Sequence, residues 1–580
     1  MENKVISVPE LTPIYPATKH ENFRDLINFA ASNYGSSDAF ILKKKKAKGG
    51  KPAEYKHISY KKFKQDIDNF GAGLMKSKLI GKRFAIIGKN SYKWLVSYYA
   101  VLCGLGVCVP LDKGLPYDEV ETSLIKSKSE ILIFDEEHED MARKIKASEN
   151  TGISTYICME DIRGYELFSW ILHKGKQAVQ NGYKEFGTLP INPKAISVLL
   201  FTSGTTSNAK AVMLSQFNIL ENVYSLELVE DIQPGDVNMA FLPFHHTFGS
   251  TGQTLMLARG VTTTFCDGLK YIQKNMAEYK VSIFICVPLL IEAMYKKLLA
   301  GVKKRKKEKT LARGIKISNF LRRHRIDVRR KIFSDIIKEF GGSLRFIISG
   351  ASPLDPEVAK GFDQLGIDLV QGYGMTEASP VLTAENPNTR KAGSIGKAMP
   401  GVSLKIINPN EEGVGELIAK GSNIMAGYYE DYEATSETLI DGWLHTGDLA
   451  ETDSDGFVFL RGRAKNVIVL KNGKNIYPEE IETLIAGFPY VKESLVYGSP
   501  RHRDGDTKDL VLCAKIVYDK DYFKSNFGTW DSDKIQRIIS RDIDKLSDSM
   551  PAYKRIHRLT VTHQEMVKTT TGKVKRYIEK

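Results

Sequence analysis

The sequence predicts an α/β protein with a large N-terminal domain of βαβ sub-domains, a small β-rich sub-domain and a small α+β C-terminal domain. First, its 580 residues exceed what a single hydrophobic core usually organises. Second, strand-like apolar runs alternate with helical runs through most of the chain. Third, the pattern changes near Gly393 to short strands separated by Gly, Asn and Asp turns.

The N-terminal elements follow from local patterns. "FAIIGKN" (84–90) and "ILIFDEE" (131–137) are typical of buried strands that end in polar turns. "SYKWLVSYYAVLCGLGVCVPL" indicates a helix broken at Gly104 and then a strand. The alternation continues through "MAFLPFHHTFGS", "VSIFICVPLLIEAMYKKL" and "SLRFIISGASPLD". It predicts βαβ units and a largely parallel sheet.

The boundary between the two domains is predicted near Lys465. Before it, "LKIINPNEEGVGELIAKG" indicates short strands of the β-rich sub-domain. After it comes a charged α+β tail that ends at Lys580. We therefore predict an N-terminal domain over 1–464 and a C-terminal domain over 465–580.

Composition favours a cytoplasmic protein. The first residues hold no apolar core of a signal peptide, and nowhere do 18 consecutive apolar residues occur. Six scattered cysteines show no metal-ligand spacing, so we interpret them as reduced thiols: Cys103, Cys108, Cys158, Cys266, Cys286 and Cys513. The oligomeric state stays open.

The loop in "FTSGTTSNAKAVMLS" is the first candidate site. It joins two strand candidates, "AISVLLF" and "AVMLS", and gathers hydroxyls, a glycine and a cation: Thr202, Ser203, Gly204, Thr205, Thr206 and Lys210. Such a turn offers N–H groups and hydroxyls to a phosphate, although it lacks the ending of a Walker P-loop. Taken alone, it is equally typical of a polar hairpin turn.

Six motifs in order extend this observation. They are "FTSGTTSNAKAVMLS", "PFHHTFG", "LRFIISGASPL", "QGYGMTEASP", "DGWLHTGDLAETDSDGFVFLRGRAKNVIVLKNGKNIYPEEIE" and "KTTTGKVKR". Together they resemble the AMP-forming acyl-CoA synthetase and adenylating-enzyme superfamily, from about residue 195 to the end. The resemblance implies ATP, Mg²⁺ and coenzyme A as cofactors, and an acyl-adenylate as the intermediate. Adenylation gives a carboxylate the better leaving group that thioester formation requires.

The resemblance also implies nucleotide contacts. Thr376 corresponds to a phosphate-contacting hydroxyl, Glu377 to the Mg²⁺ carboxylate, and Tyr373 to a ring along the adenine. Asp448 would accept both ribose hydroxyls, and Arg463 would make a second ribose and phosphate contact. Backbone contacts to the nucleotide are expected from two turns: Gly350, Ala351, Ser352, Gln371, Gly372, Gly374 and Met375.

Three further positions belong to the C-terminal domain in this family. Lys573 resembles the lysine whose ammonium bridges carboxylate and α-phosphate during adenylation. Lys465 occupies the hinge position about which the domain turns. In the second orientation, the loop around Gly473 would help to shape the channel for the coenzyme A thiol.

The resemblance limits the class of carboxylic acid that is expected as substrate. His245 matches a residue near the acyl carboxylate, whereas His246 is expected to pack or cap. The stretch holds no aspartate to pair a substrate ammonium, and no carrier domain follows the tail. Both points favour a fatty or aromatic acid over an amino acid, with a pocket lined by parts of 248–260 and 287–294. The extended basic segment before "LRFIISG" resembles that of long-chain fatty acid–CoA ligases, which are therefore the nearest type. Alternatives are a fatty acyl-AMP ligase, an acyl-carrier-protein ligase and a catalytically silent lipid-surface binding relative.

The phosphate loop departs from the family's usual pattern. Ser207, Ala209 and Ala211 stand where relatives often have Gly, Pro and Gly, and Gln216 replaces a His. Because Ser and Ala visit positive φ reluctantly, we expect a stiffer loop and weaker or slower ATP engagement.

The formal net charge of +14 is concentrated in one segment. Fourteen Lys and Arg residues lie between Lys303 and Lys331, opposed only by Glu308 and Asp327. Three- and four-residue steps predict an amphipathic helix with Ile317, Phe320, Leu321, Val328, Ile332 and Ile336 on one side. The segment is interpreted as a solvated helix, a contact with anionic membrane or a docking site for acyl carrier protein. A membrane contact would place the protein peripherally at the inner face of the membrane. No nucleic-acid partner is expected, since the segment has no aromatic platform.

Overall fold

The computed structural model describes residues 5–44, 53–202, 209–471, 473–501, 509–568 and 573–579. Within these ranges the strands, β1 to β28 in chain order, are Val5–Val8, Asp38–Lys43, Tyr55–Ser59, Lys82–Ile87, Gly106–Leu111, Ile131–Phe134, Thr155–Cys158, Glu166–Leu167, Ile196–Phe201, Ala211–Ser215, Val237–Ala240, Thr262–Phe265, Ile283–Cys286, Phe346–Ser349, Asp368–Gly374, Val381–Ala384, Lys397–Ala398, Val402–Ile407, Gly415–Gly421, Gly427–Tyr428, Leu439–Ile440, Trp443–Thr452, Val458–Arg463, Ile468–Val469, Asn475–Ile476, Val491–Pro500, Leu510–Tyr518 and Ile556–Thr562.

The helices of the same ranges, α1 to α20, are Phe23–Asn33, Tyr60–Lys76, Tyr92–Ala100, Tyr117–Ser127, Glu139–Ser148, Phe168–Gln180, Glu185–Thr188, Gln216–Val229, Thr247–Ala258, Ile272–Tyr279, Pro288–Lys304, Glu308–Arg323, Arg329–Ile332, Ser334–Ile337, Pro356–Leu365, Tyr432–Thr438, Pro478–Ala486, Lys520–Phe527, Ser532–Ser549 and Arg576–Glu579. The helix α3 runs into a π-helical turn, Val101–Leu105, in which Gly104 has a φ of 113°. The expected helix break at Gly104 is therefore confirmed, because glycine accepts this φ at little steric cost.

Two large sheets form the N-terminal domain. One has the strand order β20-β10-β9-β5-β4-β6-β7-β8, and the other has the order β17-β16-β15-β14-β13-β11-β12-β2-β3. Neighbours from β15 through β12 to β2 pair in parallel, whereas antiparallel pairs lie toward the edges. The largely parallel α/β architecture expected from the alternation is confirmed.

The helix α9 lies in the largest hydrophobic cluster of this domain. Every one of its residues except Phe248 is buried, polar side chains included. Those polar groups are paired, since Thr254 lies 3.0 Å from the Tyr99 hydroxyl and Gln253 donates to Thr263 over 3.0 Å. The rigidity of α9 fixes the loop before it, which carries "PFHH".

The β-rich sub-domain contains a strand that the sequence pattern did not identify. Its six-stranded sheet has the order β1-β18-β19-β22-β21, with β23 paired to β22. The N-terminal strand β1 runs antiparallel to β18, with Val5 opposite Ile407. This pairing joins segments about 400 positions apart, so local periodicity could not predict it.

The C-terminal domain is an α+β unit, as expected. Its sheet has the order β26-β27-β28, with an antiparallel first pair and a parallel second pair. The helix α19 buries Ile535, Ile539 and Ile543 at four-residue steps in the core of this domain. That spacing is the amphipathic pattern of a surface helix.

The single helix expected over the basic segment is wrong in its extent. The helix α12 ends at Arg323, Arg325 has a φ of 62°, and only short helical turns follow as α13 and α14. Three arginines fasten the segment to the domain: Arg322 and Arg329 pair with Asp363 at 2.7 and 2.9 Å, and Arg305 pairs with Glu339 at 2.6 Å. Periodicity at three and four residues persists across the break, so it could not locate it.

Within the described ranges, no helix combines the length and apolar character needed to cross a bilayer.

Candidate active site

Three of the sequence motifs meet at one edge of the nine-stranded sheet. The loop with "PFHH" follows β11, "SGAS" spans the end of β14, and "QGYG" closes β15. The strands β11, β13, β14 and β15 are consecutive parallel neighbours, so their carboxyl ends lie side by side. Ligands of open α/β sheets bind at such an edge.

Asp448 is the centre of a buried polar group. Its side chain accepts a hydrogen bond from the Tyr373 hydroxyl over 2.6 Å, and the Arg463 Nε lies 2.8 Å from its other oxygen. The Asp448 backbone N–H donates to the Thr446 hydroxyl, while Arg463 donates to the Thr446 carbonyl over 3.0 Å. Asp448 and Arg463 lie opposite each other on β22 and β23, and this pairing fixes both side chains.

Two opposed influences set the ionisation of Asp448. Burial raises the pKa of this carboxyl group, whereas the charge of Arg463 and the hydrogen bond from Tyr373 lower it. Each carboxylate oxygen has two lone pairs, so both retain an acceptor position after binding Tyr373 and Arg463. Tyr373 was expected only along the adenine; its hydroxyl also positions Asp448.

Glu377 and Lys210 are joined through a residue that sequence analysis missed. Tyr428 donates a hydrogen bond to Glu377 over 2.9 Å, and the Lys210 ammonium lies 4.7 Å from the centre of the Tyr428 ring. Tyr428 lies on β20, which pairs with β10 directly after the phosphate loop. The pairing therefore places the loop's cation over the face of the Tyr428 ring and the Glu377 carboxylate at its hydroxyl.

Replacing Tyr428 with phenylalanine tests this link. The ring under Lys210 stays, but the hydrogen bond to a charged carboxylate is lost, and such bonds contribute roughly 1.5–3 kcal/mol. We expect kcat/KM for ATP to fall by about tenfold with the melting temperature nearly unchanged. Tyr429→Phe is the matched control, since the Tyr429 hydroxyl accepts from Arg83 instead. Equal losses in the two variants would contradict the link.

The expected backbone contacts lie on two adjacent turns. Gly350 directly follows β14 and is closely packed, because a Cβ there would lie 3.1 Å from the Phe248 ring. The next residue, Ala351, has a φ of 77°. A Cβ on Gly374 would lie 1.9 Å from the Pro380 carbonyl oxygen, so only glycine fits. The remaining members of this predicted set lie on the same turns or on β15: Ser352, Gln371, Gly372, Met375 and Thr376.

Most of the phosphate loop lies outside the described residues, including Ser203, Gly204, Thr205, Thr206 and Ser207. Its two ends are described, and the Thr202 N–H donates to the Lys210 carbonyl over 2.9 Å.

The residues flanking the loop limit the expectation of a stiffer loop. Ala211 is a buried member of β10, paired with Phe201, and neither Ala209 nor Ala211 has a positive φ. The argument from reluctant positive φ therefore does not apply at Ala211. Gln216 is buried, where it accepts from the Phe23 N–H over 2.9 Å and donates to Leu102 over 2.8 Å. Its role here is to tie α8 to the N-terminal helices.

Lys573 reaches this site from the far end of the chain. It interacts electrostatically with Glu377 and Asp448, which attract its charge, and with Arg463, which repels it. Partial loss of hydration is the main cause of its lowered pKa, and the charge of Arg463 adds to it, although the residue as a whole remains exposed. The structure thus brings Lys573 together with three residues assigned to the nucleotide.

His245 and His246 begin the buried helix α9. Asn90 clamps the preceding loop, accepting from the Phe244 N–H over 3.0 Å and donating to Leu242 over 2.7 Å. Burial, His245 and Lys573 lower the pKa of His246 to about 4, so this imidazole is neutral near neutral pH. Lys573 therefore lies within electrostatic reach of the histidine pair as well.

The hinge and channel positions lie outside this cluster. Lys465 is exposed on a short 3-10 turn, Ala464–Asn466, and the turn is held to α17 because Asn466 donates to Glu479 over 2.6 Å. Gly473 has a φ of 77° on the exposed turn between β24 and β25. The hinge and channel roles stay predictions.

Two residues near the motifs were not predicted from the sequence. Tyr428 lies in no recognised motif, and its contact with Glu377 depends on the pairing of β20 with β10. Asp112 follows β5, and its Oδ1 lies 3.3 Å from the His245 Nε2. The position of Asp112 at the end of a predicted buried strand was the one available signal.

Comparisons with known proteins agree with this arrangement. A model of the AMP-binding enzyme family matches residues 30–429, and a model of the AMP-binding enzyme C-terminal domain matches residues 465–578. The solved structure of an anthranilate CoA ligase in complex with anthranoyl-AMP covers 98% of this chain and 97% of its own, with a TM-score of 0.74 and 19% identity. A fatty acyl CoA synthetase of Mycobacterium tuberculosis covers 96% and 97%, with a TM-score of 0.64 and 19% identity. The adenylate-forming fold, with a large N-terminal and a small C-terminal domain, is confirmed.

Relatives in sequence carry more specific names. Long-chain-fatty-acid–CoA ligase 6 of Rattus norvegicus is 27% identical over 482 residues, covering 77% of this chain and 68% of its own length. Long chain acyl-CoA synthetase 4 of Arabidopsis thaliana is 27% identical over 510 residues, covering 82% and 76%. The AMP-forming acid–thiol ligase expected from the six motifs is confirmed at the level of the family. The chain belongs to the AMP-binding enzyme family.

Proposed function

We propose that this enzyme activates a long-chain fatty acid with ATP to an acyl-adenylate, and then transfers the acyl group to coenzyme A. The names of the relatives support the acid and the acceptor, since they are long-chain-fatty-acid–CoA ligases. The site supports the chemistry, because it unites carboxylates suited to a nucleotide and its metal with cations suited to phosphates.

The main support for this proposal is the electrostatic interaction of Lys573 with two carboxylates of the N-terminal domain. Lys573 comes from the end of the C-terminal domain, whereas Glu377 and Asp448 come from the N-terminal domain, yet their charges interact. A lysine whose charge interacts with both carboxylates is suited to offset the negative charge that develops as pyrophosphate leaves.

Each neighbouring residue then has a definite task. Asp448 accepts the ribose hydroxyls on its remaining lone pairs, and Arg463 and Tyr373 hold it in place. The Thr376 hydroxyl and the Lys210 ammonium contact phosphate oxygens. His245 lies at the acyl carboxylate and orients it toward the α-phosphate.

The residues present fit Mg²⁺. The ion usually binds one or two protein carboxylates together with substrate phosphates, and Glu377 is a buried carboxylate beside the phosphate loop. Tyr428 occupies one of its lone pairs and orients the group. Bound there, Mg²⁺ would offset the charge of the phosphates.

A pH profile of the first half-reaction tests the role of Lys573. The ammonium form is required, so the rate should fall as the pH rises through the Lys573 pKa. Because that pKa lies below the usual lysine value, the loss should begin at a less alkaline pH than an ordinary lysine would give. The guanidinium of Lys573→Arg stays charged at alkaline pH. Any activity that remains in this variant should therefore no longer fall as the pH rises. If the rate of that variant still falls at the same alkaline pH, the fall belongs to another titrating group.

Pyrophosphate release tests the proposed function as a whole. The enzyme is incubated with ATP and carboxylic acids of short, medium and long chain, with and without coenzyme A. We expect release with long-chain acids and thioester formation when coenzyme A is present. Release without a thioester would favour a fatty acyl-AMP ligase or a carrier-protein ligase, and no release with any acid would contradict an active enzyme.

We infer a peripheral membrane contact through α12. Ile317 and Phe320 are 55% and 61% exposed on this basic helix, so apolar and cationic groups face solvent together. Each basic residue near an anionic surface contributes roughly 1 kcal/mol. Sedimentation with anionic vesicles should exceed that with neutral vesicles, and Ile317→Ser with Phe320→Ser should reduce it. Trp530→Ser, at a 63% exposed position of the C-terminal domain, is the control. Equal binding to both vesicle types would exclude the contact.

A further inference from the structure

Asp112, His245 and His246 form a cluster of possible metal ligands that is separate from the residues assigned to the nucleotide. One ligand atom from each lies within 4.8 Å of the other two, and this is the one such group of His, Cys, Asp or Glu in the described ranges. Asp112 comes from the eight-stranded sheet, and the histidines come from the nine-stranded sheet. The cluster therefore bridges the two large sheets of the N-terminal domain.

The backbone positions of this cluster are fixed before any ligand binds. The Asp112 Oδ1 accepts from the Gly114 N–H over 2.8 Å, which closes a tight turn after β5. Asn90 clamps the loop that ends at His245, and the His246 carbonyl accepts from the Ser250 N–H in the first turn of α9. Preorganised ligands of this kind lose little freedom when they bind an ion.

One imidazole nitrogen of this cluster is buried. The His245 side chain is 6% exposed, and its Nε2 makes no hydrogen bond to any residue in the described part of the chain. It lies 3.3 Å from the Asp112 Oδ1 without the geometry of a hydrogen bond. Buried polar atoms of proteins are nearly always paired, so an unpaired imidazole nitrogen beside a carboxylate requires an explanation.

We infer that Asp112, His245 and His246 bind a divalent transition-metal ion, with Zn²⁺ as the best fit. Two imidazoles and one carboxylate are the ligand number and type of open zinc sites, whereas Mg²⁺ and Ca²⁺ prefer all-oxygen ligands. The ion would be distinct from the Mg²⁺ at Glu377. Because the charge of Lys573 acts on His246, an ion bound here would lie within electrostatic range of that ammonium.

Zn²⁺ at this site inhibits adenylation, a consequence that rests on the proposed function. His245 is assigned to the acyl carboxylate, so an imidazole bound to metal can no longer orient that carboxylate. The second positive charge close to Lys573 also disfavours the approach of its ammonium. The enzyme would thereby be sensitive to free transition-metal ions.

Cobalt titration tests the site without any catalysis. The full-length protein is treated with chelator, dialysed and titrated with Co²⁺, whose visible absorption reports coordination by imidazole and carboxylate. We expect one equivalent to bind in wild type and to be displaced by Zn²⁺. His246→Gln and Asp112→Asn should each weaken binding at least about tenfold, since even indirect partners of a metal site cost that much.

His57→Gln is the matched control. His57 forms an exposed pair with Asp38, 2.6 Å apart, but no third His, Cys, Asp or Glu of the described ranges lies close enough to complete a metal site with them. Circular dichroism of each variant shows that folding is retained. Binding that is absent in wild type, or unchanged in both His246→Gln and Asp112→Asn, would overturn the site.

The inhibition is measured separately as the ratio of pyrophosphate release with and without Zn²⁺ for each protein. We expect Zn²⁺ to inhibit wild type and His57→Gln, and to inhibit His246→Gln much less relative to its own metal-free rate. Stoichiometric binding without inhibition would overturn the regulatory consequence. If no acid supports pyrophosphate release, the proposed function fails, while the cobalt titration still decides the metal site.

Discussion

Lys573→Ala is expected to slow acyl-adenylate formation by about a hundredfold to a thousandfold. Losing one preorganised group that stabilises charge in a transition state typically costs that factor. Lys573 interacts with Glu377 and Asp448 in the orientation observed here, and no other residue is assigned to bridge carboxylate and α-phosphate. Stopped assays of pyrophosphate release from ATP and a long-chain acid measure this step.

The same variant should behave differently in the second half-reaction. Starting from pre-made acyl-AMP and coenzyme A, thioester formation should fall by only a few-fold, because that step places no demand on the ammonium of Lys573. Lys575→Ala is the matched control, two residues away, where the backbone N–H bonded to Val567 is retained. Equal losses in the two half-reactions of Lys573→Ala would contradict the assigned role.

Asp448→Asn is expected to lower kcat/KM for ATP by about a hundredfold or more. The substitution keeps the shape but removes the charge that would accept the ribose hydroxyls, and each hydrogen bond to a charged group contributes roughly 1.5–3 kcal/mol. The substitution also places an amide against the Arg463 guanidinium, which in the wild type lies 2.8 Å from a carboxylate oxygen of Asp448. Isothermal titration with ATP and steady-state kinetics measure the effect.

Asp66→Asn separates this effect from general destabilisation. Asp66 is a buried carboxylate that accepts from the Tyr92 hydroxyl over 2.8 Å and from Lys62 over 2.6 Å. Like Asp448, it therefore binds one tyrosine and one cationic side chain, but it lies outside the motifs. This control should lower the melting temperature without a selective loss of ATP affinity. If both variants change ATP affinity equally, Asp448 has no special relation to the nucleotide.

Those parts of the fold and the site that depend on local patterns could be predicted from the sequence. The strands on both sides of the phosphate loop and the break at Gly104 follow from apolar runs and a glycine. The grouping of Tyr373 and Asp448 was implied by the resemblance, but their hydrogen bond was not. It depends on the meeting of two sheets, which no single motif encodes.

Long-range contacts account for what the sequence could not predict. The strand β1 finds β18 across almost the whole N-terminal domain, and Tyr428 reaches Glu377 through pairing of β20 with β10. The end of α12 could not be predicted from the spacing of apolar residues. Arg325, with its positive φ, ends the helical segment without interrupting that spacing. The Asp112 contact with His245 likewise requires two sheets to be packed first.

Isotope transfer tests the central claim, that this site adenylates a fatty acid, most directly. A long-chain fatty acid whose carboxylate is enriched in a heavy oxygen isotope is incubated with the enzyme, ATP, Mg²⁺ and coenzyme A. Attack of the carboxylate on the α-phosphate leaves one labelled oxygen on phosphorus after thiolysis, so mass spectrometry should find the label in AMP. Label in inorganic phosphate, or label retained entirely in the acid and its thioester, would contradict the account.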